Sequence, residues 1–226
     1  MVISDGHIAR EAFTLLRLSP LLEPRRDEFA EAVSAAYATI EGFAAAHGWT
    51  HRMGVFFDRG VEVFESQAAL WERIKTLHSL PRDLPVPTPG LAAALECRIL
   101  VAVTPEEYAS VAPEYGSTPD AYPRLLAHEI AHRLHIAIVG GDEDAMGPEW
   151  LYEGFAVVAS GDLLEPPRCE PTWEALSAGG RGAYRRYAAL VRRLMSLAPL
   201  SELVERAGRP GFEDWARGFL TSGRSR

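Results

Sequence analysis

Cysteine is scarce in this chain. Only two of its 226 residues are cysteines, Cys97 and Cys169. A disulfide framework or a cysteine-rich zinc site needs more thiols than that, so both kinds of site are disfavoured. The sequence predicts that the two cysteines are free, buried thiols.

Excess positive charge is also missing. The formal net charge is -8, whereas proteins that bind nucleic acids gather lysine and arginine to neutralise phosphates. Four arginines lie close together, and their helical spacing among apolar residues predicts one solvated helix face. They are Arg185, Arg186, Arg192 and Arg193. We therefore expect no nucleic-acid partner.

Long apolar runs are absent as well. No stretch of the sequence approaches the roughly 20 apolar residues that are needed to span a bilayer. The first residues also lack the basic segment followed by an apolar stretch that is typical of a secretory signal. The sequence therefore predicts a cytoplasmic protein with no membrane partner, and nothing in it points to a particular oligomeric state.

Apolar residues make up 47% of the chain, which is enough to bury one substantial core. Short apolar runs predict two short strands or a hairpin at 51–57 and 61–66, and a strand or strand pair at 91–103. Helical spacing of apolar residues predicts helices at 26–47, 67–77, 121–138, 148–160, 182–197, 200–207 and 211–219. The predicted fold is α+β, with a sheet-containing part at 1–116 and a mainly helical part at 117–226 in one compact unit.

The segment LAHEIAHRL carries the clearest chemical motif. His128 and His132 stand four residues apart on a predicted helix, so the second imidazole lies only about 40° around the helix axis from the first. Both imidazoles can reach one ion, and Glu129 can lean over its open side. This is the HExxH pattern, in which two neutral imidazoles bind Zn²⁺ and the glutamate acts as general base. The alternative, a core helix with these residues by coincidence, would bury a costly unpaired carboxylate.

A second segment, GPEWLYEGFAVVASG, predicts a helix that carries Glu153. Together, HEIAH and WLYEGFA resemble the HExxH and W-L-x-E-G-x-A motifs of the gluzincins, the zinc metallopeptidases of the aminopeptidase N type and their smaller relatives. The resemblance covers about residues 90–217. It implies a zincin-like α+β fold, with a small twisted mixed sheet packed on the HEIAH helix and a mainly helical C-terminal lobe. It also implies that Glu153 is the third zinc ligand.

Other carboxylates lie nearby in the sequence. Glu149 is four positions before Glu153 and lacks the glycine that follows the ligand in the family. The loop carboxylates of Asp142, Glu143 and Asp144 could bind a cation, but a solvated acidic loop is the simpler interpretation. The segment between the two motifs is longer than is usual in the family, and this loop absorbs the difference.

The implied zinc site has three protein ligands, His128, His132 and Glu153, and one open position for water, as a catalytic zinc requires. We expect one Zn²⁺ per chain. Glu129 is predicted to take the proton of the water and to pass it to the leaving amine of a peptide or protein substrate. The expected activity is therefore peptide-bond hydrolysis.

The resemblance also implies a hydrogen-bond donor for the carbonyl oxygen of the substrate. The segment GAYRRYAALVRRL is similar to a family segment in which a tyrosine precedes an apolar helix. This makes Tyr184 the candidate catalytic residue and Tyr187 the reserve. The alternative is that both tyrosines only pack or lie at the surface.

Some family features are changed in this sequence. Val157 stands where many gluzincins place an aspartate, so the group that orients the histidine ligands is unassigned, and His135 is interpreted as a supporting or packing residue. The segment 91–103 resembles the edge strand that pairs with extended substrates, but Glu96 is its only carboxylate for capturing a free amino group, which disfavours an aminopeptidase.

Two other functions stay open: a zinc protein that binds peptides without cleaving them, and a zinc hydrolase of a non-peptide amide or ester.

Overall fold

The computed structural model describes residues 16–85, 90–95, 98–161, 173 and 182–222. The protein is α+β, as the sequence predicts. Its strands are β1 (Leu16–Leu18), β2 (Gly60–Phe64), β3 (Ala92–Leu95) and β4 (Ile99–Val103). Its helices are α1 (Arg26–Ala46), α2 (Gln67–His78), α3 (Pro105–Val111), α4 (Pro113–Gly116), α5 (Ala121–Ile138), α6 (Glu149–Ala159), α7 (Ala183–Met195), α8 (Leu200–Arg206) and α9 (Phe212–Ser222). The predictions for Glu96, Cys97 and Cys169 fall outside the described residues.

The four strands form one mixed sheet with the order β1-β2-β4-β3. Strands β1, β2 and β4 run parallel, and β3 runs antiparallel to β4 at the edge. Every residue of β4 is buried, and β2 is buried except for Phe64, as expected for central parallel strands. The predicted strand pair at 91–103 is confirmed as β3 and β4.

The predicted hairpin at 51–66 is wrong in its first strand. Thr50–Arg52 form a 3-10 helix and residues 56–59 form a turn, so only Gly60–Phe64 is a strand. Strand β2 pairs with β1 on one side and with β4 on the other, which leaves no free edge for a hairpin partner. Strand β1 was not predicted, because its three residues are too few to show a periodic pattern.

The predicted helices are confirmed, with small shifts at their ends. Helix α1 shows why the apolar spacing was informative, because its residues at intervals of three and four are buried in the core. These residues are Phe29, Val33, Tyr37, Ile40 and Ala44. No helix in the described ranges is both long and apolar enough to cross a membrane.

The chain folds into two compact units. The first contains the residues up to Ala38 and Gly54–Ile130, and the second contains Thr39–Met53 and the residues from Ala131 onward. The first unit holds the sheet, and the second holds helices α6 to α9. Helices α1 and α5 each contribute residues to both units.

Helix α6 packs against helix α7 through Gly154. A Cβ atom at this position would lie 2.7 Å from the carbonyl oxygen of Tyr187 and 2.7 Å from Cγ2 of Val191, which is closer than van der Waals contact allows. The two helices therefore approach each other backbone to backbone. This contact fixes the turn of α6 that carries the neighbouring Glu153.

Replacing Gly154 with alanine is expected to destabilise the protein by about 1–3 kcal/mol, because the added methyl group must displace the backbone of α7 or the side chain of Val191. The matched control is Gly42→Ala in α1, where a Cβ atom would meet nothing within 4 Å. There alanine should stabilise the helix by about 0.5–1 kcal/mol. Urea unfolding measures both changes, and equal stability of the two variants would contradict the close approach.

Candidate metal centre

The two histidines of the HExxH motif lie on helix α5. His128 and His132 are both half-buried, one helical turn apart, so that their side chains leave the helix on the same side. The apolar residues around them anchor the helix in the core, with at most 1% of their surface exposed. These are Leu126, Ala127, Ile130, Ala131 and Leu134.

Glu153 joins the two histidines from helix α6. One ligand atom from each of His128, His132 and Glu153 can be chosen so that all three lie within 4.8 Å of one another. The Nε2 atom of His132 is 3.6 Å from Oε2 of Glu153, and their side chains are 16% and 14% exposed. Two ligand atoms that are each about 2.0–2.1 Å from a tetrahedral Zn²⁺ lie about 3.3 Å from each other. The distance of 3.6 Å between His132 and Glu153 is close to this value, so the residues fit this ion with small side-chain adjustments. The structure therefore brings together the three residues that the sequence analysis singled out.

The competing carboxylates do not take part in this cluster. Glu149 is exposed in the first turn of α6. In the acidic loop, the Asp142 side chain caps a 3-10 helix by accepting a hydrogen bond from the Asp144 backbone N–H at 3.1 Å. Glu143 pairs with Arg133 at 3.3 Å. These contacts agree with the interpretation of a solvated acidic loop.

The segment between α5 and α6 is held in place by close backbone contacts. Gly140 and Gly141, with φ of 83° and 91°, end α5 in the left-handed conformation that glycine adopts readily. The N–H group of Gly141 donates to the carbonyl oxygen of Ile136 at 2.8 Å. Further along, a Cβ atom at Gly208 would lie 2.8 Å from Cα of Ala145. The loop is therefore anchored at both ends although it is long.

Glu129 contacts the edge strand of the sheet. Its Oε2 atom accepts a hydrogen bond from the backbone N–H of Ala94 at 2.9 Å. The backbone N–H of Val103 donates to the carbonyl oxygen of Leu91 at 2.9 Å, so Leu91 faces β4. Successive residues of a strand point their backbone groups in opposite directions, so Ala94, three residues later, turns its N–H away from β4. This hydrogen bond orients the carboxylate next to His128.

The two tyrosines proposed as hydrogen-bond donors differ in environment. Tyr184, in the first turn of α7, is 44% exposed, whereas Tyr187 is 2% exposed. Burial and the charges of Glu149 and Glu153 raise the pKa of Tyr187, although Arg186 acts in the opposite direction. A raised pKa keeps the phenol protonated and able to donate. The two candidates therefore differ in exposure: Tyr184 lies at the surface, whereas Tyr187 is packed in the interior.

Tyr152 also lies at this site, and the sequence analysis did not single it out. Its ring centroid is 5.9 Å from that of His132, and the side chain is half-buried. Burial, Glu153, Glu149 and Tyr187 raise its pKa, burial having the largest effect. The signal available in the sequence was its position directly before Glu153 in WLYEGFA.

His135 continues the helix beyond His128 and His132 but is a buried packing residue. It is 0% exposed, and its ring centroid lies 4.5 Å from that of Phe155. Neither ring nitrogen has a hydrogen-bond partner within the described part of the chain. Burial and, to a smaller extent, His132 lower the pKa of His135 to about 3. Its imidazole is therefore neutral at physiological pH.

Acid is expected to destabilise the metal-free protein through His135. Its folded-state pKa of about 3 lies below the unfolded value of about 6.5, so protons bind preferentially to the unfolded chain between these two pH values. The resulting loss of stability is about 1.4 kcal/mol per pH unit in this window, and it ends once the folded-state group also protonates.

Urea unfolding of the metal-free protein from pH 7 to pH 4 measures this dependence. We expect His135→Leu to reduce the slope of unfolding free energy against pH. The same substitution at the exposed His51 is the control and should leave the slope as in the wild type. Parallel pH profiles for the wild type and His135→Leu would show that the buried imidazole is not the acid-sensitive group.

Comparison of the chain with models of protein families, with curated proteins and with solved structures gives no match. The geometry of the site therefore carries the functional proposal: two imidazoles and a carboxylate converge, and Glu129 is held beside them by the edge strand.

Proposed function

We propose that the protein is a zinc-dependent metallopeptidase of the gluzincin type, with a zincin-like fold. The observation that carries the proposal is the convergence of His128, His132 and Glu153, whose ligand atoms lie within 4.8 Å of one another. Two imidazoles and one carboxylate form a donor set that suits a catalytic zinc. The mixed sheet with an antiparallel edge strand, followed by the HExxH helix, supports the same assignment.

Zinc bound to these residues would supply a Lewis acid and lower the pKa of a bound water to about 7. Glu129 accepts the proton of the attacking water and delivers it to the leaving amine nitrogen, as a general base that then serves as general acid. The Ala94 N–H, at 2.9 Å from the Glu129 carboxylate, holds that carboxylate in place before substrate binds. Tyr187 or Tyr184 donates a hydrogen bond to the carbonyl oxygen of the scissile bond.

The edge of the sheet provides a surface for an extended peptide. Among the described strands, β3 is paired on its β4 side alone. Alternation of its backbone groups turns the N–H and C=O of Ala92 and the C=O of Ala94 toward the other edge, while the N–H of Ala94 is used by Glu129. A substrate strand can pair with such an edge through main-chain hydrogen bonds. This supports a peptide or protein substrate over a small amide or ester.

A peptide library tests the function directly. The zinc-loaded protein is incubated with the library with and without a chelator, and the products are identified by mass spectrometry. We expect cleavage that the chelator abolishes and that added zinc restores. Binding of peptides without cleavage would instead indicate an idle zinc scaffold, and turnover of esters or non-peptide amides alone would indicate a different hydrolase.

A further inference from the structure

Tyr152 lies against one of the three residues proposed to bind the metal. Its ring and that of His132 have centroids 5.9 Å apart and planes that cross at 66°, an edge-to-face arrangement. Aromatic rings attract one another favourably at this distance and angle. Both side chains are half-buried, so the contact restricts the motion of the imidazole.

The orientation of the His132 imidazole decides which nitrogen meets the metal. The last side-chain torsion of histidine is broad and roughly twofold, and a half-turn of the ring puts the carbon Cε1 where Nε2 was. In the structure, Nε2 is the atom that faces Glu153, at 3.6 Å from Oε2. Only this orientation lets Nε2 and the carboxylate share one ion.

Metal-bound imidazoles are usually oriented by a carboxylate, a carbonyl group or a water that accepts a hydrogen bond from the second nitrogen. Helix α6 offers no such carboxylate one turn after Glu153, because that position is Val157, which is 1% exposed. The residue directly before Glu153 is Tyr152. One helix therefore supplies both the third ligand and an aromatic ring that packs on the second ligand.

We propose that Tyr152 is a positioning residue: its edge-to-face packing restricts rotation of the His132 imidazole and so keeps the ring in the orientation in which Nε2 faces Glu153. The ring, and not the hydroxyl group, carries this role. The proposal rests on the proposed function for the identity of the ligand set. The packing of α6 on α7 at Gly154 holds the ring in place, because it fixes the same turn of the helix.

Zinc affinity distinguishes the ring from the hydroxyl. Tyr152→Phe keeps the ring and should bind Zn²⁺ as the wild type does, whereas Tyr152→Leu removes the aromatic contact and should bind about 5- to 10-fold more weakly. Competition with a chromophoric chelator measures both affinities. Tyr115→Leu, at another half-buried tyrosine, is the matched control and should retain wild-type affinity. A Phe variant as weak as the Leu variant, or an unchanged Leu variant, would overturn the proposal.

Proton NMR of the metal-free protein provides a second test that needs neither zinc nor activity. The His132 ring protons, assigned with a His132→Gln variant, should show nuclear Overhauser contacts to the Tyr152 ring that Tyr152→Phe preserves. Absence of these contacts would overturn the positioning role even in a protein that binds zinc. Failure to bind zinc with the contacts intact would overturn the proposed function instead.

Discussion

Replacing Glu129 with glutamine is expected to abolish peptide hydrolysis while zinc stays bound. Glutamine is similar in shape and keeps a carbonyl oxygen that can accept the hydrogen bond from Ala94, which spans 2.9 Å in the wild type. It cannot accept the proton of the attacking water. Because general-base catalysis contributes about 10²- to 10⁴-fold, kcat should fall by at least about a hundredfold. The three metal ligands are unchanged, so the zinc content should remain that of the wild type.

The control for this variant is Glu143→Gln. Glu143 is an exposed carboxylate of the acidic loop, paired with Arg133 at 3.3 Å, and it has no proposed part in catalysis. It should retain wild-type kcat and zinc content. An active Glu129→Gln variant with a full complement of zinc would rule out the proposed general base, because turnover would then be shown to proceed without that carboxylate.

Replacing Glu153 with alanine is expected to remove stable zinc binding. The carboxylate is one of the three proposed metal ligands, and it comes from a different helix from the two imidazoles. Structural zinc sites bind with about 10–16 kcal/mol in total, so the loss of one ligand should weaken the affinity by about a thousandfold. Zinc titration in competition with a chelator measures this loss.

Glu149→Ala is the matched control for the third ligand. It makes the same chemical change one helical turn earlier, at an exposed residue outside the converging cluster. We expect this variant to bind zinc as the wild type does. The reverse result, with zinc lost in Glu149→Ala and retained in Glu153→Ala, would mean that the competing carboxylate completes the site.

One close backbone contact connects Glu153, the proposed third ligand, with Tyr187, a candidate hydrogen-bond donor. The carbonyl oxygen of Tyr187 lies where a side chain at Gly154 would begin, so the backbones of α6 and α7 hold Glu153 and Tyr187 in a fixed relation. A side chain larger than hydrogen at Gly154 would therefore move the carboxylate and the phenol together. Stability and metal affinity should fall in parallel in any such variant.

The sequence predicted the helices of the site because their signals are local. Apolar spacing and the glycines at 140 and 141 define the end of α5, and the HExxH pattern places both imidazoles on one side of it. The third ligand came from a resemblance between motifs, and the structure brings that residue within 4.8 Å of the two histidines.

The features that the sequence did not predict depend on contacts between distant segments. The apolar run 51–57 is similar to a strand, but β2 has partners on both sides, and no local pattern contains that information. The role of Tyr152 depends on a ring contact between two helices. The difference in exposure between Tyr184 and Tyr187 depends on which face of α7 is covered by α6. Local periodicity determines which residues share a face, but packing determines what that face meets.

X-ray absorption at the zinc edge of the purified, zinc-titrated protein reports which atoms surround the metal. We expect one zinc per chain, bound by two imidazole nitrogens at about 2.0–2.1 Å and one carboxylate oxygen at about 2.0–2.2 Å, with one further light atom from solvent. A spectrum that shows sulfur ligands, or a protein that binds no stoichiometric zinc, would contradict the proposed zinc site.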